Sequence, residues 1–453
     1  MGVVPTTIAA TAELPAVSIV THAIAFLTNL VLRPSRPVCP HCGSSLWKKH
    51  GFYRRGQRCL HVLRLDAPIQ RYKCLNQRCA KTWADRPSWL APKRWYGRDV
   101  IRKALDLCFD NVTSWRELAE LLHGEITGSG RALRWAPWRR PRKGAGKVRL
   151  AHTTLWRWFM EAASRAETPE SLGGRYRGLF SGILATDESW GWAKGVVDGV
   201  KQKVGFGIQG LVDGATRVVL SLSRLADESE EALRAGVERL PELGVELAEL
   251  KVWLSDGLRT YDALLDMLGL GRLPRQRSVF QLWRNVLGDI KAYAAQQGED
   301  AGSDLRQAVR AVWAAQTERE AVVGLHTLVE RYGAEPLARD VVRLVRVTFR
   351  QATYHLKGIA PGLGRTTGVV EWIWRRFKRR LRLMQLFMAD DAADKYLALY
   401  ELYLNFHRYQ VRREHQRTYR YAGMCPLEIA GQRLEVEVEG RRVAATWLDG
   451  LGI

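Results

Sequence analysis

The sequence has few cysteines, and it lacks internal repeats, low-complexity tracts and any long uninterrupted apolar run. Seven cysteines in 453 residues, an odd number, do not suggest the disulfide framework of a small secreted protein. The chain does not open with a basic region and a cleavable apolar core, and polar residues interrupt the apolar stretch 14–32. We therefore expect a cytoplasmic, nucleoid-associated protein with no membrane partner, in which 14–32 forms an amphipathic helix.

Acidic residues are also scarce relative to basic ones. The chain has 47 Asp and Glu against 70 Lys and Arg, a formal net charge of +23. Proteins this cationic usually bind polyanions, because neutralising phosphates releases counterions. We expect a nucleic acid as the partner, although ribosomal, heparin-like or anionic-membrane partners would give the same bulk charge.

Changes in composition and in apolar periodicity divide the chain into seven segments and indicate an α/β protein. The segments are an N-terminal helix and linker (1–37), a cysteine-containing module (38–92), a helical module with a basic insertion (93–170), the first part of an α/β unit (171–284), an all-α block (285–356), the second part of the α/β unit (357–430) and a β-like tail (431–453). Within the α/β unit we predict strands at 183–186, 204–212, 216–222, 250–254 and 278–280, and helices at 230–240, 259–268, 369–388 and 392–412.

Three carboxylates are candidates for a metal site. Asp187 and Asp256 each follow an apolar strand, and Glu371 opens a long predicted helix. Carboxylates from two adjacent strand ends and a helix can converge, and they suit Mg²⁺ or Mn²⁺. Two such ions can activate a water or a 3′-hydroxyl for in-line displacement at phosphorus. Individually, the two aspartates could instead form turns, and Glu371 could be an acid favoured by the helix dipole.

The helix that Glu371 opens has a basic face. At about 100° per residue, Arg375, Lys378 and Arg382 share the face of Glu371, whereas apolar residues lie opposite. Such a row suits a DNA phosphate backbone. Glu188 competes with Asp187 for the first position, but strand alternation directs it to the other face.

These blocks resemble those of a known enzyme family. Thr186-Asp187-Glu188-Ser189, Ser255-Asp256-Gly257-Leu258-Arg259-Thr260-Tyr261 and Arg365-Thr366-Thr367-Gly368-Val369-Val370-Glu371 are similar to the catalytic blocks of DDE-type transposases of bacterial insertion sequences, in the mutator-like branch or a relative. The resemblance covers about 38–430. It implies an RNase H-like catalytic domain with an all-α insertion, preceded by a zinc ribbon and a helix-turn-helix domain.

One block departs from the pattern of the family. In Phe280-Gln281-Leu282-Trp283-Arg284-Asn285, relatives commonly have His where this chain has Gln281. Glutamine can hydrogen-bond a phosphate or a base, but it does not titrate. Trp283 could stack on an unpaired base or belong to a hydrophobic core.

Two cysteine pairs predict a structural zinc site. Cys39 and Cys42 form a CxxC knuckle, and Cys74 and Cys79 form a looser second pair. Four thiolates bind Zn²⁺ tetrahedrally with no open position. Cys59, His41 or His61 could replace one ligand, and buried free thiols are the alternative.

The helical module predicts a DNA reader. Helices near 98–109, 114–123 and 153–164 fit a helix-turn-helix whose recognition helix starts at Thr153. Base edges or phosphates in the major groove would be reached by His152, Thr153, Thr154 and Arg157. The basic insertion, whose candidate DNA contacts are Arg139, Arg140, Arg142 and Lys143, would enter a minor groove or follow the backbone; otherwise it is a solvated loop.

The resemblance implies a transposase that binds terminal inverted repeats, hydrolyses the ends and joins them to double-stranded target DNA, as a homodimer or larger homo-oligomer. A DNA-binding regulator that has lost activity, and a nuclease or resolvase without strand transfer, are the alternatives. The presence of all three acids argues against the regulator. Family resemblance alone separates the transposase from the nuclease.

Overall fold

The structure, a computed structural model, describes residues 37–60, 62–84, 94–110, 114–127, 132–134, 150–166, 176–197, 199–227, 229–257, 260–384, 387, 390–409, 421–438, 441–449 and 451. The chain is mixed α/β and divides into two compact units, 1–107 with 115–155 and 108–114 with 156–453. The helix predicted at 14–32 and the arginine-rich insertion lie outside the described residues, apart from a few positions of the insertion.

The first unit contains a four-stranded sheet. Strands β1 (Trp47–Cys59) and β2 (Val62–Cys74) form a long antiparallel hairpin, β3 (Thr82–Ala84) is antiparallel to β2, and β4 (Ala132–Arg134) is parallel to β2. The fully buried Tyr72 packs between Trp47 and Trp83, with ring centroids 4.9 and 5.6 Å away. The two cysteine pairs thus lie at the base of a long ribbon.

The three helices expected in the helical module are confirmed. They are α1 (Arg98–Asp110), α2 (Trp115–Thr127) and α3 (His152–Ala166). Helix α3 buries Leu155, Trp158 and Phe159 and exposes Arg157 between them. This is the amphipathic pattern that the sequence predicts for 153–164.

The second unit is built on a five-stranded mixed sheet of order β7-β6-β5-β8-β9. Strands β5 (Ile183–Val197), β6 (Val200–Asp213) and β7 (Val219–Leu225) are antiparallel neighbours, whereas β8 (Val252–Ser255) and β9 (Arg275–Arg277) run parallel to β5. The central strands β5 and β8 begin with fully buried apolar residues, as expected of strands covered on both faces. Helices α4 (Glu230–Glu238) and α5 (Thr260–Met267) precede and follow β8.

The all-α block predicted at 285–356 is helical, and its first helix begins earlier than expected. It comprises α6 (Val279–Gln297), α7 (Glu299–Trp313), α8 (Glu318–Tyr332) and α9 (Arg339–Ala352). These helices share a core of their own, which includes Leu282, Ile290, Val309 and Trp313. The strand predicted at 278–280 is wrong: Ser278 precedes α6, and the third parallel strand is the polar segment just before it. A two-residue apolar run is too short to distinguish a strand from a helix start.

Two longer helices complete the α/β unit. They are α10 (Gly368–Met384) and α11 (Asp390–Phe406), which end earlier than the predicted 388 and 412. A short helix α12 (Pro426–Ile429) and the antiparallel pair β10 (Glu435–Val438) and β11 (Arg441–Ala444) follow, so the predicted β-like tail is confirmed. None of the helices within the described residues is both long and apolar enough to cross a membrane.

Helix α11 is hydrogen-bonded to the edge strand β7. The side chain of Asn405 accepts from Val219 N and donates to Val219 O, at 2.7 and 2.8 Å, and Glu401 Oε2 accepts from Leu222 N at 3.3 Å. Tyr176 joins both side chains, donating to Glu401 Oε1 at 2.6 Å and accepting from Asn405 Nδ2 at 3.0 Å. Backbone groups that an edge strand would leave unpaired are thereby satisfied by side chains.

Candidate metal centres and nucleic-acid surface

The two candidate aspartates lie at the same edge of the central strand pair. Strands β5 and β8 are parallel, with Ala185 opposite Leu254, and Asp187 and Asp256 each follow two residues later. Strand β8 spans Val252–Ser255, two residues later at its start and one residue later at its end than the predicted 250–254, and Asp256 follows it directly. Strand β5 does not end at Asp187: only its pairing with β8 stops there, and it continues to Val197 paired with β6. Asp187 therefore lies within a strand, at the point where the sheet narrows.

Glu371 lies in the first turn of α10 and is half-buried. The hydroxyl of Thr367 donates to its Oε1 at 3.4 Å. The segment before the helix is held by the start of α6, because Val279 N donates to Arg365 O at 2.9 Å and Thr367 N donates to Ser278 Oγ at 3.3 Å. These hydrogen bonds to the start of the helical block therefore hold the segment just before α10, and with it the helix turn that carries Glu371.

Electrostatics link the three carboxylates. Burial raises the pKa of Asp187 to about 7, and the charges of Asp256 and Glu371 add to this, while the backbone N–H of Glu188 and the ammonium of Lys378 oppose it. Like charges raise the pKa of a carboxyl only when they lie near it. Asp256, Glu371 and Lys378 therefore lie within electrostatic range of Asp187, but among the described residues the three carboxylates do not form a group with all ligand atoms within 4.8 Å of one another.

Glu188 lies on the other face of the sheet. Its cross-strand partner is Gln209, whose Nε2 donates to Leu233 O in α4 at 3.2 Å. Because successive residues of the continuous strand β5 alternate between faces, Glu188 lies on the side of α4 and Asp187 on the side of α10. The choice of Asp187 over Glu188 agrees with this geometry.

Arg277, which the sequence did not single out, borders the acidic cluster. Its Nε donates to the backbone oxygen of Asp256 at 3.3 Å. A Cβ at position 257 would lie 2.0 Å from that Nε, and Gly257 has a φ of +93°, so a residue with a side chain would meet both a collision and backbone strain. Burial lowers the pKa of Arg277, while Asp256 and Asp262 raise it. The only sequence signal was an arginine at the end of a short polar segment.

The α10 helix has the two faces that the sequence predicts. Arg375, Lys378 and Arg382 are exposed, whereas Ile373 and Phe377 are buried. Leu381 and Met384, which we expected on the apolar side, are half-buried. The exposed cations form a row that begins one turn after Glu371.

The block 280–285, which departs from the family pattern at Gln281, lies on α6. Gln281 is half-buried and its Oε1 accepts from Arg284 Nη1 at 3.4 Å. Trp283 is half-buried and packs edge-on against Trp313, with ring centroids 5.3 Å apart, at the margin of the helical core. Packing accounts for this tryptophan, and base stacking by it stays a prediction.

The four predicted cysteines form one cluster. Their sulfurs all lie within 4.8 Å of one another, with Cys39 to Cys79 and Cys42 to Cys74 at 3.7 Å each. Ligands about 2.3 Å from a tetrahedral Zn²⁺ are about 3.8 Å apart. The cluster therefore has the chemistry and spacing of a structural zinc site. Cys59 and His41, the possible substitutes, are not in this cluster, and His61 lies outside the described residues.

Local backbone turns set up the cluster. Gly43 N donates to Cys39 O at 2.8 Å in the first knuckle, and Cys79 N donates to Asn76 O at 2.9 Å in the second. Burial tends to raise the pKa of Cys39, but hydrogen bonds from the backbone of His41 and Cys42 outweigh it and lower the pKa to about 7. A thiol held this way is readily deprotonated, as a metal ligand must be.

The predicted DNA-reading residues lie at the start of α3. His152, Thr153 and Arg157 are exposed and Thr154 is half-buried, so the first turn is open to a ligand. Arg139, Arg140, Arg142 and Lys143 lie outside the described residues. Their proposed DNA contacts stay predictions.

Comparison with known proteins adds no relative. No model of a protein family matches the chain, and no curated protein matches it in sequence.

Proposed function

We propose that the chain is a DNA transposase of the DDE type, which hydrolyses phosphodiesters at element ends and joins the resulting 3′ ends to target DNA, each 3′-hydroxyl attacking a target phosphodiester and displacing its 3′ oxygen. The observation that carries the proposal is the placement of the three acids: Asp187 and Asp256 each lie two residues beyond the paired positions Ala185 and Leu254 of parallel strands, and the helix that begins with Glu371 in its first turn packs on Gly210, opposite Asp187. Three carboxylates near one another, one with its pKa raised to about 7, form a site that a divalent cation would relieve of excess negative charge.

The donor set fits Mg²⁺ or Mn²⁺. All three groups offer hard oxygen ligands, and such ions are commonly held by a few carboxylates together with water and substrate phosphates. When bound, a pair of such ions activates a water or 3′-hydroxyl and stabilises the leaving oxygen. Asp187, Asp256 and Glu371 would hold the metal, and the chain needs no covalent intermediate.

The surroundings of the acids support a DNA substrate. Arg375, Lys378 and Arg382 form an exposed row on the helix that carries Glu371, suited to consecutive phosphates. Arg277 donates a hydrogen bond to the backbone carbonyl of Asp256, and its guanidinium places a positive charge beside the acids. The mixed order of the five-stranded sheet supports an RNase H-like catalytic domain, in which two acids come from central strands.

The cysteine cluster and the start of α3 supply a means of holding DNA. The four-cysteine cluster would bind a structural Zn²⁺ and rigidify the turns around it. Residues His152, Thr153, Thr154 and Arg157 would contact the end sequence, and the net charge of +23 would supply sequence-independent affinity. A homodimer or larger assembly follows from the need to hold two ends.

The experiment uses a plasmid that carries the coding frame with its native flanks. The purified chain should nick or cut this DNA at the flanks in Mg²⁺, and Asp187→Ala should abolish cleavage while sparing binding. Asp289→Ala, an exposed acid on α6, is the matched control and should cleave normally. Cleavage retained by Asp187→Ala would contradict the assignment, and binding without any cleavage by the native chain would favour a regulator. Cleavage without joining to a target plasmid would favour a nuclease.

A further inference from the structure

The far end of the β5–β6 hairpin carries exposed aromatic rings. Of the tryptophans that the structure describes, three are exposed, and two of these are Trp190 and Trp192, with 48% and 42% of their surface accessible. They lie two residues apart on β5 and therefore on the same face. Large rings clustered on one face mark an interaction surface more often than single exposed hydrophobic residues do.

The same face carries three lysines. Lys194 lies directly opposite Lys203 in the β5–β6 pair, and Lys201 lies opposite Val196. We call these residues the hairpin face: Trp190, Trp192, Lys194, Val196, Lys201 and Lys203. Like charges directly opposite each other destabilise a strand pair, so the arrangement costs stability unless an anion lies over it. The two acids on this face among the described residues of the hairpin lie nearer its other end, where Glu188 is half-buried and Asp213 is buried.

The hairpin face is held rigidly from behind. Residue 387 closes the free edge of β5, with Phe387 N donating to Trp192 O and Lys194 N donating to Phe387 O, both at 2.8 Å. The opposite face is buried at Gly191 and Ala193, and the ring of Phe206 packs against that of Phe387 at 6.1 Å. A surface of aromatic rings and lysines that is held in this way is preorganised for a ligand.

Trp192 and Lys203 already form a combined aromatic and cationic contact. The Lys203 ammonium lies 4.4 Å from the centre of the Trp192 ring. The ring also lies close to Gly205, where a Cβ would be 3.0 Å from its Cζ3 atom. A nucleotide offers the two groups that this pair would engage, a flat base for the ring and a phosphate for the ammonium.

We propose that the hairpin face binds single-stranded DNA, with unpaired bases stacked on Trp190 and Trp192 and phosphates contacting Lys194, Lys201 and Lys203. Bases in a duplex are already stacked on each other, so exposed rings favour unpaired strands. Trp190 and Trp192 lie three and five residues beyond Asp187 on β5, roughly 10 and 17 Å along the strand. They lie on the face of the sheet opposite to Asp187, so a strand freed at the acidic cluster would reach this surface by passing around the hairpin. The identity of the polyanion as DNA rests on the proposed function.

Binding of a labelled 15-nucleotide oligothymidine, measured by fluorescence polarisation without added Mg²⁺ and without a chelator that would remove zinc, tests the proposal without catalysis. The double variant Trp190→Ala/Trp192→Ala should bind it roughly ten- to hundredfold more weakly, with duplex affinity changed much less. Val347→Ala, which removes an exposed apolar side chain from α9, is the control and should bind normally. Equal affinity of the double variant and the native chain overturns the proposal, as does an equal loss for duplex.

The lysines supply a second, independent variant. Replacing Lys194, Lys201 and Lys203 by Gln should weaken single-strand binding at low salt and flatten its dependence on salt concentration. Lys291→Gln, on α6, controls for the loss of one exposed positive charge outside the hairpin face and should leave binding almost unchanged. An unchanged salt dependence in the triple variant overturns the phosphate contacts. A change in self-association, or in binding to anionic vesicles, with single-strand affinity intact would assign the face to another partner and also overturn the proposal.

Photocrosslinking of the native chain decides the question if a variant does not fold. An oligothymidine containing 5-iododeoxyuridine should crosslink to the peptide that contains Trp190 and Trp192, and crosslinks confined to other peptides overturn the proposal. Asp187→Ala should retain single-strand affinity. If the native chain cleaves nothing while its single-strand binding still depends on the two rings, the proposed function fails and the hairpin inference stands.

Discussion

The ring of Trp374 packs against Gly210, the residue directly opposite Asp187 in the β5–β6 pair. A Cβ at position 210 would lie 2.7 Å from Trp374 Cζ2 and 3.2 Å from a methyl group of Val370. Val370 and Trp374 flank Glu371 on the buried side of α10. Helix α10, which carries Glu371, therefore packs directly on Gly210, the cross-strand neighbour of Asp187.

Replacing Gly210 with alanine should disturb both stability and cleavage. The added methyl group has no space, so α10 must shift, and overpacking of this kind costs about 1–3 kcal/mol. A displacement of Glu371 by about 1 Å would lower the cleavage rate by about a hundredfold. Urea unfolding and plasmid nicking measure the two effects.

A glycine in open space provides the control for this substitution. Gly288 lies inside α6, and a Cβ added there would have no atom within 4 Å. Gly288→Ala should therefore raise the free energy of unfolding by about 0.5–1 kcal/mol and leave cleavage unchanged. Normal cleavage by Gly210→Ala would show that the packing of α10 against β6 at Gly210 does not position Glu371.

The raised pKa of Asp187 predicts an unusual dependence of stability on pH. The folded state keeps this carboxyl protonated up to about pH 7, mainly because it is buried and then because Asp256 and Glu371 lie near it, whereas the unfolded chain loses the proton near 3.8. The folded state thus binds more protons between these values, and metal-free stability falls as pH rises. Asp187→Asn should make the metal-free protein more stable at pH 8 by on the order of 2–4 kcal/mol, with the advantage shrinking towards pH 4.

With Mg²⁺ bound, the native chain should be more stable than Asp187→Asn. A ligand that binds only the folded state stabilises it, so the cation should raise the melting temperature of the native chain and not that of Asp187→Asn. The exposed acid Asp289, changed to Asn, controls for the loss of one negative charge. Equal stability of Asp187→Asn and the native chain across pH 4–8 would mean that neither burial nor the neighbouring acids raise the pKa of Asp187.

The places of the three carboxylates in the fold were predictable from local sequence, whereas their role as metal ligands rests also on the family resemblance and stays a prediction. A short apolar run precedes both Asp187 and Asp256 and indicates a buried strand. The residues after Glu371 have the apolar periodicity of an amphipathic helix. The all-α block was predictable for the same reason. These features depend on neighbours in sequence.

Features that depend on distant neighbours were not predictable. The extension of β5 beyond Asp187 is a run of Trp, Gly and Lys with no clear strand pattern, and its pairing with β6 and with residue 387 fixes its conformation. Arg277 gains its place from the strand pairing that sets Ser255 opposite it. The edge strand β9 is too short and polar for its sequence to indicate a strand.

The four-cysteine cluster should hold one zinc ion per chain. Elemental analysis of the purified protein measures the zinc content, and Cys42→Ser should abolish it. Metal binding can contribute about 10–16 kcal/mol in small zinc modules, more than most domains have in total stability. Loss of the ion should therefore unfold the ribbon of the first unit, seen as rapid proteolysis between residues 37 and 84.

Cys59 provides the matched control for the zinc prediction. It lies outside the cluster, and burial together with the nearby Asp99 raises its pKa, which disfavours the thiolate that a metal needs. Cys59→Ser should retain the zinc. A native protein without zinc, or a Cys42→Ser variant as resistant to proteolysis as the native chain, would contradict the assignment.

The bonds between Asn405 and Val219 should contribute strongly to the stability of the second unit. Asn405 is 1% exposed, and its amide satisfies both the N–H and the carbonyl of Val219. Asn405→Ala would leave two buried backbone groups without partners, and we expect a loss of about 2–4 kcal/mol. Urea unfolding measures the loss, and hydrogen exchange should show faster exchange of the Val219 amide. Asn285→Ala, at an exposed position of α6, should change neither quantity. Slow exchange at Val219 in Asn405→Ala would mean that another group protects the edge of β7.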